Sequence, residues 1–518
     1  MLAAHHETRP FVPPYPRRRE RPLGALSMIL TLRRNPLEIW GEADFERPFS
    51  IGRSILGLRA AAHDPAAVRH VFLDNAANYR KDDLQLKVLN PGLGDGLLTA
   101  EGESWRLQRR ALAPLFSPRQ VAEFAPAMQR VAEATVERLG HRRDGAVTDV
   151  GELTSRMTLE VLEQTLFSQG IGREPSQFQR AVTSYLDSFG RLDPLDLVGA
   201  PAFLPRLGRR RGRPALAFFN EAVDAIVARR KALLDQGGEA PRDLLTLLLA
   251  AKDPETGAGL PDASIRANIV TFIMAGHETT AVGLTWTLYL LSQAPQWRCR
   301  AEEEAARVFD PRRPAAIERC EVLRAVFEEA QRLYPPVAML AREAIADDEI
   351  LGRRIPAGTV VAISPYVLHR RRGLWDDPDA FAPCRFLGER RERIDRYAYI
   401  PFGAGSRVCI GMPFAMQEAI VILANLLRAF RFELVAGQAV MPQQRVTLRP
   451  RGGSGANWRG STAEKFLRRG PLTQKVRRSI SASTNGAARF HAALGVVGFG
   501  NCLSALLPAE RRGRNGHQ

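Results

Sequence analysis

The stretch FGAGSRVCIG, residues 402–411, contains one of only five cysteines in a chain of 518 residues. A single cysteine in a glycine-rich loop is by itself more often an inert small apolar residue. Here Cys409 precedes a helix-like segment, whose N-terminus would supply N–H groups and a dipole that stabilise a thiolate. Gly405 and Gly411 allow close approach to a flat ligand, and Arg407 can bind a carboxylate. The stretch therefore suits a metal-bound thiolate under a planar cofactor with carboxylates.

The other cysteines and the termini limit the type of protein. The cysteines are odd in number and form no CxxC pair, which argues against a disulfide framework and for a reducing compartment (Cys299, Cys320, Cys384, Cys409 and Cys502). The N-terminus lacks the apolar stretch of a signal peptide. Residues 492–507 are apolar but short and interrupted by glycines. We expect a soluble, cytoplasmic protein without a transmembrane anchor.

The net charge of +17 suggests a nucleic-acid-binding or membrane-surface protein, so its distribution matters. Residues 452–518 hold eleven Lys/Arg and two acidic residues, which gives this short tail a charge of +9. Residues 1–451 are therefore only mildly basic, with acids and bases mixed, as on an ordinary solvated surface. We expect no nucleic-acid partner, although a basic binding protein stays the alternative from a different class.

Hydrophobic periodicity predicts a mainly α protein. Apolar residues recur at helical spacing in 126–139, 214–236 and the unusually long segment 261–293. Residues 348–370 and 444–450 (QRVTLRP) read as a minor β component. We predict a single large α-rich domain with a minor β-sheet.

The cysteine stretch allows a family to be named. The pattern Phe402-x-x-Gly405-x-Arg407-x-Cys409-x-Gly411 resembles the heme-binding signature of the cytochromes P450, and the resemblance covers about residues 20–451. It implies the cytochrome P450 fold, with heme b (iron protoporphyrin IX) between a long central helix and the cysteine loop. It also implies that Cys409 is the axial ligand of the heme iron. The composition and the lack of an anchor resemble the soluble bacterial members.

AGHETT, residues 275–280, looks like the oxygen-activating segment of the family's central helix. Ala275 and Thr279 share one helix face because they lie four residues apart. The small Ala275 and Gly276 would leave room for heme and dioxygen, and the Thr279 hydroxyl could bond back to a carbonyl. The resemblance implies that Glu278 and Thr279 are the catalytic acid–alcohol pair for proton delivery. For His277 we expect packing or solvent exposure.

Two further groups match family motifs. Glu329 and Arg332 lie three residues apart on one helix and resemble the ExxR motif, a structural network that Arg385 in PCRF would complete. Cys384 replaces the usual glutamate of that short motif, so this part of the network is expected to differ. Trp105 and Arg109 resemble the WxxxR pair that meets a heme propionate, and Arg342 matches another propionate arginine.

The resemblance implies a heme-thiolate monooxygenase that inserts one oxygen atom from O2 into an apolar organic substrate. Electrons would come from a separate ferredoxin, flavodoxin or reductase. Fatty-acid-like or other lipophilic compounds are the expected substrates, and a monomer is the expected state. Within the enzymes, a peroxide-driven heme-thiolate peroxygenase is the alternative, against which the Glu278–Thr279 pair argues.

Three segments are predicted along the chain. Residues 1–22 form a Pro/Arg-rich N-terminal segment, residues 23–453 the heme domain, and residues 454–518 a basic, flexible extension. After VTLRPRGG the family's usual final apolar strand is replaced by SGANWRGSTAEKF. The tail is therefore either a genuine extension or the product of a shifted reading frame.

Overall fold

The structure is a computed structural model that describes residues 10–54, 57–143, 146–168, 207–451 and 457–462, together with Ala181 and Ser184. Its helices are α1 (Ala25–Arg34), α2 (Pro65–Arg69), α3 (Asp83–Leu93), α4 (Gly102–Leu112), α5 (Pro118–Ala122), α6 (Ala125–Gly140), α7 (Val150–Leu166), α8 (Leu207–Asp235), α9 (Leu244–Leu249), α10 (Asp262–Gln293), α11 (Pro295–Arg307), α12 (Glu321–Leu333), α13 (Pro365–Leu368), α14 (Glu389–Glu392) and α15 (Met412–Ala429). Its strands are β1 (Phe49–Ser54), β2 (Gly57–Ala62), β3 (Tyr79–Lys81), β4 (Val147–Asp149), β5 (Leu340–Ala344), β6 (Asp348–Ile350), β7 (Arg353–Ile355), β8 (Val360–Ile363), β9 (Phe430–Leu434), β10 (Pro442–Gln444), β11 (Leu448–Pro450) and β12 (Asn457–Thr462).

Helix α10 is the axis of the core. It begins directly after Pro261 and ends before Pro295, as the proline positions predict. Apolar residues of α10 lie on nearly every face of the helix, which is the pattern of a helix enclosed by other helices. It packs against α7, α12 and α15. The helix-rich core with small sheets confirms the predicted fold class.

A five-stranded sheet lies beside this core, in the order β1-β2-β8-β5-β3. Strands β3 and β5 pair antiparallel, and their register places Lys81 opposite Arg342. The predicted strand over 444–450 is instead part of a hairpin, because the chain turns between β10 and β11, where Arg445 N–H bonds to Thr447 O at 2.9 Å. This hairpin also contacts Glu278 of α10.

One strand, β12, follows the predicted domain boundary at Gly453. Strand β12 lies beyond it and pairs antiparallel with both β9 and β4, so it is the central strand of a three-stranded sheet. Backbone hydrogen bonds make these pairs, and they do not require the apolar run by which a final strand would be recognised in the sequence. The remainder of the predicted extension, residues 463–518, lies outside the described residues.

The Pro/Arg-rich N-terminal segment is attached to the core where the structure describes it. Phe381 N–H donates to Phe11 O at 2.8 Å, and Tyr334 Oη donates to Pro14 O at 2.7 Å. The Arg18 guanidinium forms an ion pair with Asp379. Residues 11–18 therefore pack on the heme domain rather than lying apart from it.

Candidate active site

The loop before α15 places Cys409 at the start of that helix. Cys409 N–H donates to Phe402 O at 2.9 Å, which closes the loop. Gly403 and Gly405 have φ angles of +75° and +68°, in the region that favours glycine. A Cβ atom on Gly405 would lie 1.8 Å from Phe72 O, so no side chain fits there. The sequence analysis expected Gly405 to allow close approach to a flat ligand, and in the structure Gly405 lies close to the backbone of Phe72.

The surroundings of Cys409 have opposing effects on the pKa of its thiol. Burial raises the pKa of Cys409, whereas the N–H groups of Gly411 and Met412 and the charge of Arg109 lower it. The side chain is nevertheless accessible to solvent. An accessible sulfur surrounded by protein and met by N–H groups is suited to binding a metal as a thiolate.

Four cationic side chains gather near the cysteine loop, and we call them the basic cluster: Lys81, Arg109, Arg342 and Arg407. Lys81 Nζ donates to Glu101 Oε1 at 2.8 Å, and Arg407 Nη2 donates to Glu101 Oε2 at 2.9 Å. Burial and the neighbouring Arg407 lower the pKa of Lys81 to about 8 and that of Arg342 to about 10. Like charges on directly opposite strand positions, as at Lys81 and Arg342, are destabilising unless an anion is shared between them.

Trp105 and Arg109 take different positions around the loop. The Arg407 guanidinium lies 4.2 Å from the centre of the Trp105 ring, which is a cation–π contact. Arg109 Nη1 donates to Val408 O at 2.9 Å, next to the cysteine. The sequence analysis named both residues and missed Lys81 and Glu101. Glu101 stands only four residues before Trp105 in the sequence, whereas only the strand register could reveal Lys81.

The AGHETT segment interrupts the burial of α10. Ala275 is exposed, and Gly276 and Thr279 are half-buried, although most of the helix around them is buried. Thr279 Oγ1 donates to Ala275 O at 2.7 Å, as predicted. A Cβ atom on Gly276 would make only an ordinary contact, 3.5 Å, with Leu162 of α7. Small side chains thus leave one side of the central helix accessible from within the fold.

The two residues that precede Thr279, His277 and Glu278, are buried in the protein. His277 Nε2 lies 2.9 Å from Ser155 Oγ, and burial lowers the pKa of His277 to about 4, so it packs as a neutral residue. Glu278 is 7% exposed, and its Oε1 accepts hydrogen bonds from Thr447 Oγ1 at 2.5 Å and Arg449 Nη2 at 2.6 Å. The sequence analysis did not foresee Thr447 or Arg449, because nothing in 444–450 marks them as partners of α10.

Glu329 and Arg332 form a fully buried ion pair, with Arg332 Nε donating to Glu329 Oε2 at 2.6 Å. Arg332 also donates to three carbonyl oxygens between residues 369 and 380. Arg385 Nε lies 3.6 Å from Glu329 Oε1, in the third place that the sequence suggested. Cys384 makes only a weak 3.9 Å contact with Ala382 O, while Ala382 N–H donates to Glu329 at 2.8 Å. Backbone groups therefore take over where the usual glutamate is missing.

These residues fit heme b. Cys409 offers one sulfur ligand, and within the described residues no group of three or more His, Cys, Asp or Glu side chains could hold a metal instead. The basic cluster has four cations and one acid, Glu101, and so it matches a planar group with two carboxylates. Ala275 and Gly276 present a surface without large side chains. Lys81 is buried and the three arginines are half-buried, so an anion shared among them would be stabilising.

Comparisons with known proteins agree with this assignment. The model of the family described as Cytochrome P450 matches residues 59–454. Cyclooctatin synthase of Streptomyces melanosporofaciens is 35% identical over 74% of this chain and 83% of its own length. Cyclooctat-9-en-7-ol 5-monooxygenase of the same organism is 34% identical over 67% and 74%. The human ultra-long-chain fatty acid omega-hydroxylase is 30% identical over 77% and 78%.

Proposed function

The chain belongs to the cytochrome P450 family, and from that premise we propose that Cys409 holds the heme iron and that Glu278 and Thr279 supply protons at the opposite face. The protein is a heme-thiolate monooxygenase that uses O2, a lipophilic substrate and electrons from a redox partner. The observation that carries the residue assignment is the accessible Cys409 thiol met by two backbone N–H groups beside the basic cluster.

Each group of residues has a distinct task in this proposal. Bound heme supplies the redox chemistry that activates O2, which no side chain of the protein can provide. Cys409 would bind the heme iron through its sulfur, which the loop from Phe402 to Gly411 holds in place. Trp105 and the basic cluster hold the two carboxylates. The Glu329–Arg332–Arg385 network stabilises the fold under the loop.

On the central helix, the small side chains of Ala275 and Gly276 would leave space for O2 and substrate beside a bound heme. Thr279 holds a proton at its Oγ1 atom. In the structure this hydroxyl donates a hydrogen bond to Ala275 O. We assign proton supply to Glu278, its neighbour in sequence. General acid groups placed in this way typically contribute about 10²–10⁴-fold to a rate.

We propose hydroxylation of a lipophilic compound, either a cyclic alcohol or a long-chain fatty acid. The names of the relatives support both classes, since one acts on cyclooctat-9-en-7-ol and another on ultra-long-chain fatty acids. A panel of cyclic terpenoid alcohols and C12 to C26 fatty acids, titrated against the purified protein, would separate them. The class that shifts the heme absorption at the lowest concentration is the substrate class.

The test of the cofactor site is the absorption spectrum of the reduced, CO-bound protein. The wild-type protein should show the red-shifted band of a thiolate ligand, and Cys409→Ser should abolish it. Cys384→Ser, which removes a half-buried thiol elsewhere in the fold, is the matched control and should keep the band. A thiolate band that survives in Cys409→Ser would contradict the assignment.

We also propose that the protein is a cytoplasmic monomer without a transmembrane anchor. Among the described residues, one helix, Met412–Ala429, is long and apolar enough to cross a membrane, and 67% of it is buried inside the protein. Its apolar surface already packs in the core. Cell fractionation and light scattering of the purified protein would test location and oligomeric state.

A further inference from the structure

The carboxylate of Glu278 is held by the hairpin β10–β11 rather than by its own helix. Thr447 and Arg449 donate to the same oxygen, Oε1, from 2.5 and 2.6 Å. The second oxygen, Oε2, is buried and has no hydrogen-bond partner. The stability of a protein with a buried carboxylate depends strongly on the charged partner of that carboxylate. Removal of the partner leaves an uncompensated charge inside the protein.

The orientation of Glu278 is set from outside α10. Glu278 and Thr279 are consecutive, so their side chains leave the helix about 100° apart. The Thr279 hydroxyl donates to Ala275 O, and no hydrogen bond joins it to Glu278 among these described residues. The carboxylate thus points to the hairpin through Oε1, and the hairpin makes no hydrogen bond to its second oxygen, Oε2.

The hairpin itself is firmly attached. Trp286 Nε1, two turns along α10 from Glu278, donates to Leu448 O at 2.7 Å. Leu448 N–H donates to Pro336 O at 2.9 Å, and its side chain is fully buried. Alternate residues of a strand lie on the same side, so the anchored Leu448 leaves its neighbours, Thr447 and Arg449, on the side of Glu278.

Arg449 also links the buried acid to the surface. Its side chain is 25% exposed, whereas that of Glu278 is 9% exposed. His277, which precedes Glu278 in the sequence, is kept neutral by burial, and Arg449 adds to the lowering of its pKa. Arg449 and Glu278 are therefore the charged pair at this point of the fold.

We propose that Thr447 and Arg449 are positioning residues that hold Glu278 in the orientation needed for proton supply. This inference rests on the proposed function of Glu278, and it adds residues from a different part of the chain to that site. Their effect on the reaction passes entirely through the Glu278 carboxylate.

The first test is a double-mutant cycle of thermal unfolding, which needs no substrate. Arg449→Met should lower the melting temperature by about 2 °C or more, because it leaves the buried carboxylate without its charged partner. In Glu278→Gln the same arginine change should have a much smaller effect. Arg451→Met, which removes an exposed arginine from the same hairpin, is the control and should change little. Equal effects of Arg449→Met in both backgrounds would overturn the proposal.

The second test measures peroxide released per NADPH consumed, with dodecanoic acid as the probe and a ferredoxin with its reductase as the electron source. Arg449→Met should raise the peroxide fraction to the level of Glu278→Gln, with KM unchanged and kcat lowered about tenfold or more. The double variant should be no worse than Glu278→Gln. Arg449→Lys, which keeps the charge, should restore most of the coupling.

Thr447→Val covers the case in which Arg449→Met does not retain heme, since it removes one donor and keeps the shape of the side chain. It should give a smaller loss that is absent in the Glu278→Gln background. All variants should keep the thiolate band of the reduced CO complex. Loss of that band in the wild-type protein would reject the proposed function, whereas a normal band with wild-type coupling in Arg449→Met and Thr447→Val would reject only the positioning role.

Discussion

At the scale of single residues, the site depends on a few atoms that the fold places against one another. Cys409 Sγ is met by the N–H groups of Gly411 and Met412, and Gly405 has no room for a Cβ atom. The Thr279 hydroxyl donates a hydrogen bond to a carbonyl of its own helix. Each of these contacts can be removed by one substitution.

Replacement of Thr279 by alanine should separate heme binding from proton supply. Thr279→Ala should keep the CO spectrum and substrate binding, because the hydrogen bond of its hydroxyl within the described residues goes to Ala275 O of the same helix. It should raise peroxide release at least about tenfold relative to product, since a proton-holding group is lost. Thr279→Ser, which retains the hydroxyl, is the control. Equal coupling in Thr279→Ala and the wild-type protein would remove Thr279 from the mechanism.

The two glycines of the cysteine loop should differ in their tolerance of alanine. Both have positive φ, but a Cβ on Gly403 meets nothing closer than 4.0 Å, whereas one on Gly405 would lie 1.8 Å from Phe72 O. Gly403→Ala should cost about 1–2 kcal/mol of unfolding free energy from the φ angle alone. Gly405→Ala should cost about 3 kcal/mol or more, because a clash is added to the strain.

Denaturant unfolding and heme content measure the difference between these two variants. Gly405→Ala is expected to lose heme first, since the loop carries Cys409. If both variants lost the same stability, the close contact between Gly405 and Phe72 would not limit the loop.

At the scale of elements, short strands rather than long helices hold the parts of the site together. The pairing of β3 and β5 places Lys81 opposite Arg342, and β11 brings Thr447 and Arg449 to Glu278. Strand β12 closes the sheet between β4 and β9 with residues from beyond the predicted end of the domain.

Two truncated chains test the role of β12. A chain that ends after Thr462 should keep heme and stability. A chain that ends after Gly453 exposes the pairing edges of β4 and β9, and with net contributions of about 1 kcal/mol per hydrogen bond it should lose several kcal/mol. Thermal unfolding followed at the heme absorption band measures both. If the two chains were equally stable, β12 would not belong to the folded unit.

At the scale of the whole molecule, three buried histidines connect stability to pH. His63 and His277 have pKa values lowered by burial to about 3 and about 4, and burial lowers that of His369 well below its ordinary value. They lie at three separate places in the fold, after β2, within α10 and after α13. Burial therefore opposes the protonation of each of these histidines in the folded protein.

Stability should fall as the pH drops below about 6.5, where the unfolded chain binds protons that the folded protein does not. Each histidine contributes a slope of up to about 1.4 kcal/mol per pH unit, down to its folded pKa. His63→Gln should flatten this acid limb in urea unfolding between pH 7 and 5. His141→Gln, at an exposed position, should leave it unchanged. A pH-independent wild-type stability in this range would contradict the burial of these groups.

The sequence by itself determined the family, the ligand loop, the central helix and the Glu329–Arg332 pair, because these depend on residue types at fixed local spacing. It also determined the Thr279 hydrogen bond, which stays within one helical turn. Lys81, Thr447, Arg449 and β12 were decided only by the tertiary structure. Most of their partners lie more than a hundred residues away along the chain, the exceptions being Glu101 and strand β9, and strand register or hairpin position joins them. Local periodicity carries no information about register between distant strands, and an arginine in a short strand looks the same in sequence whether it meets water or a buried carboxylate.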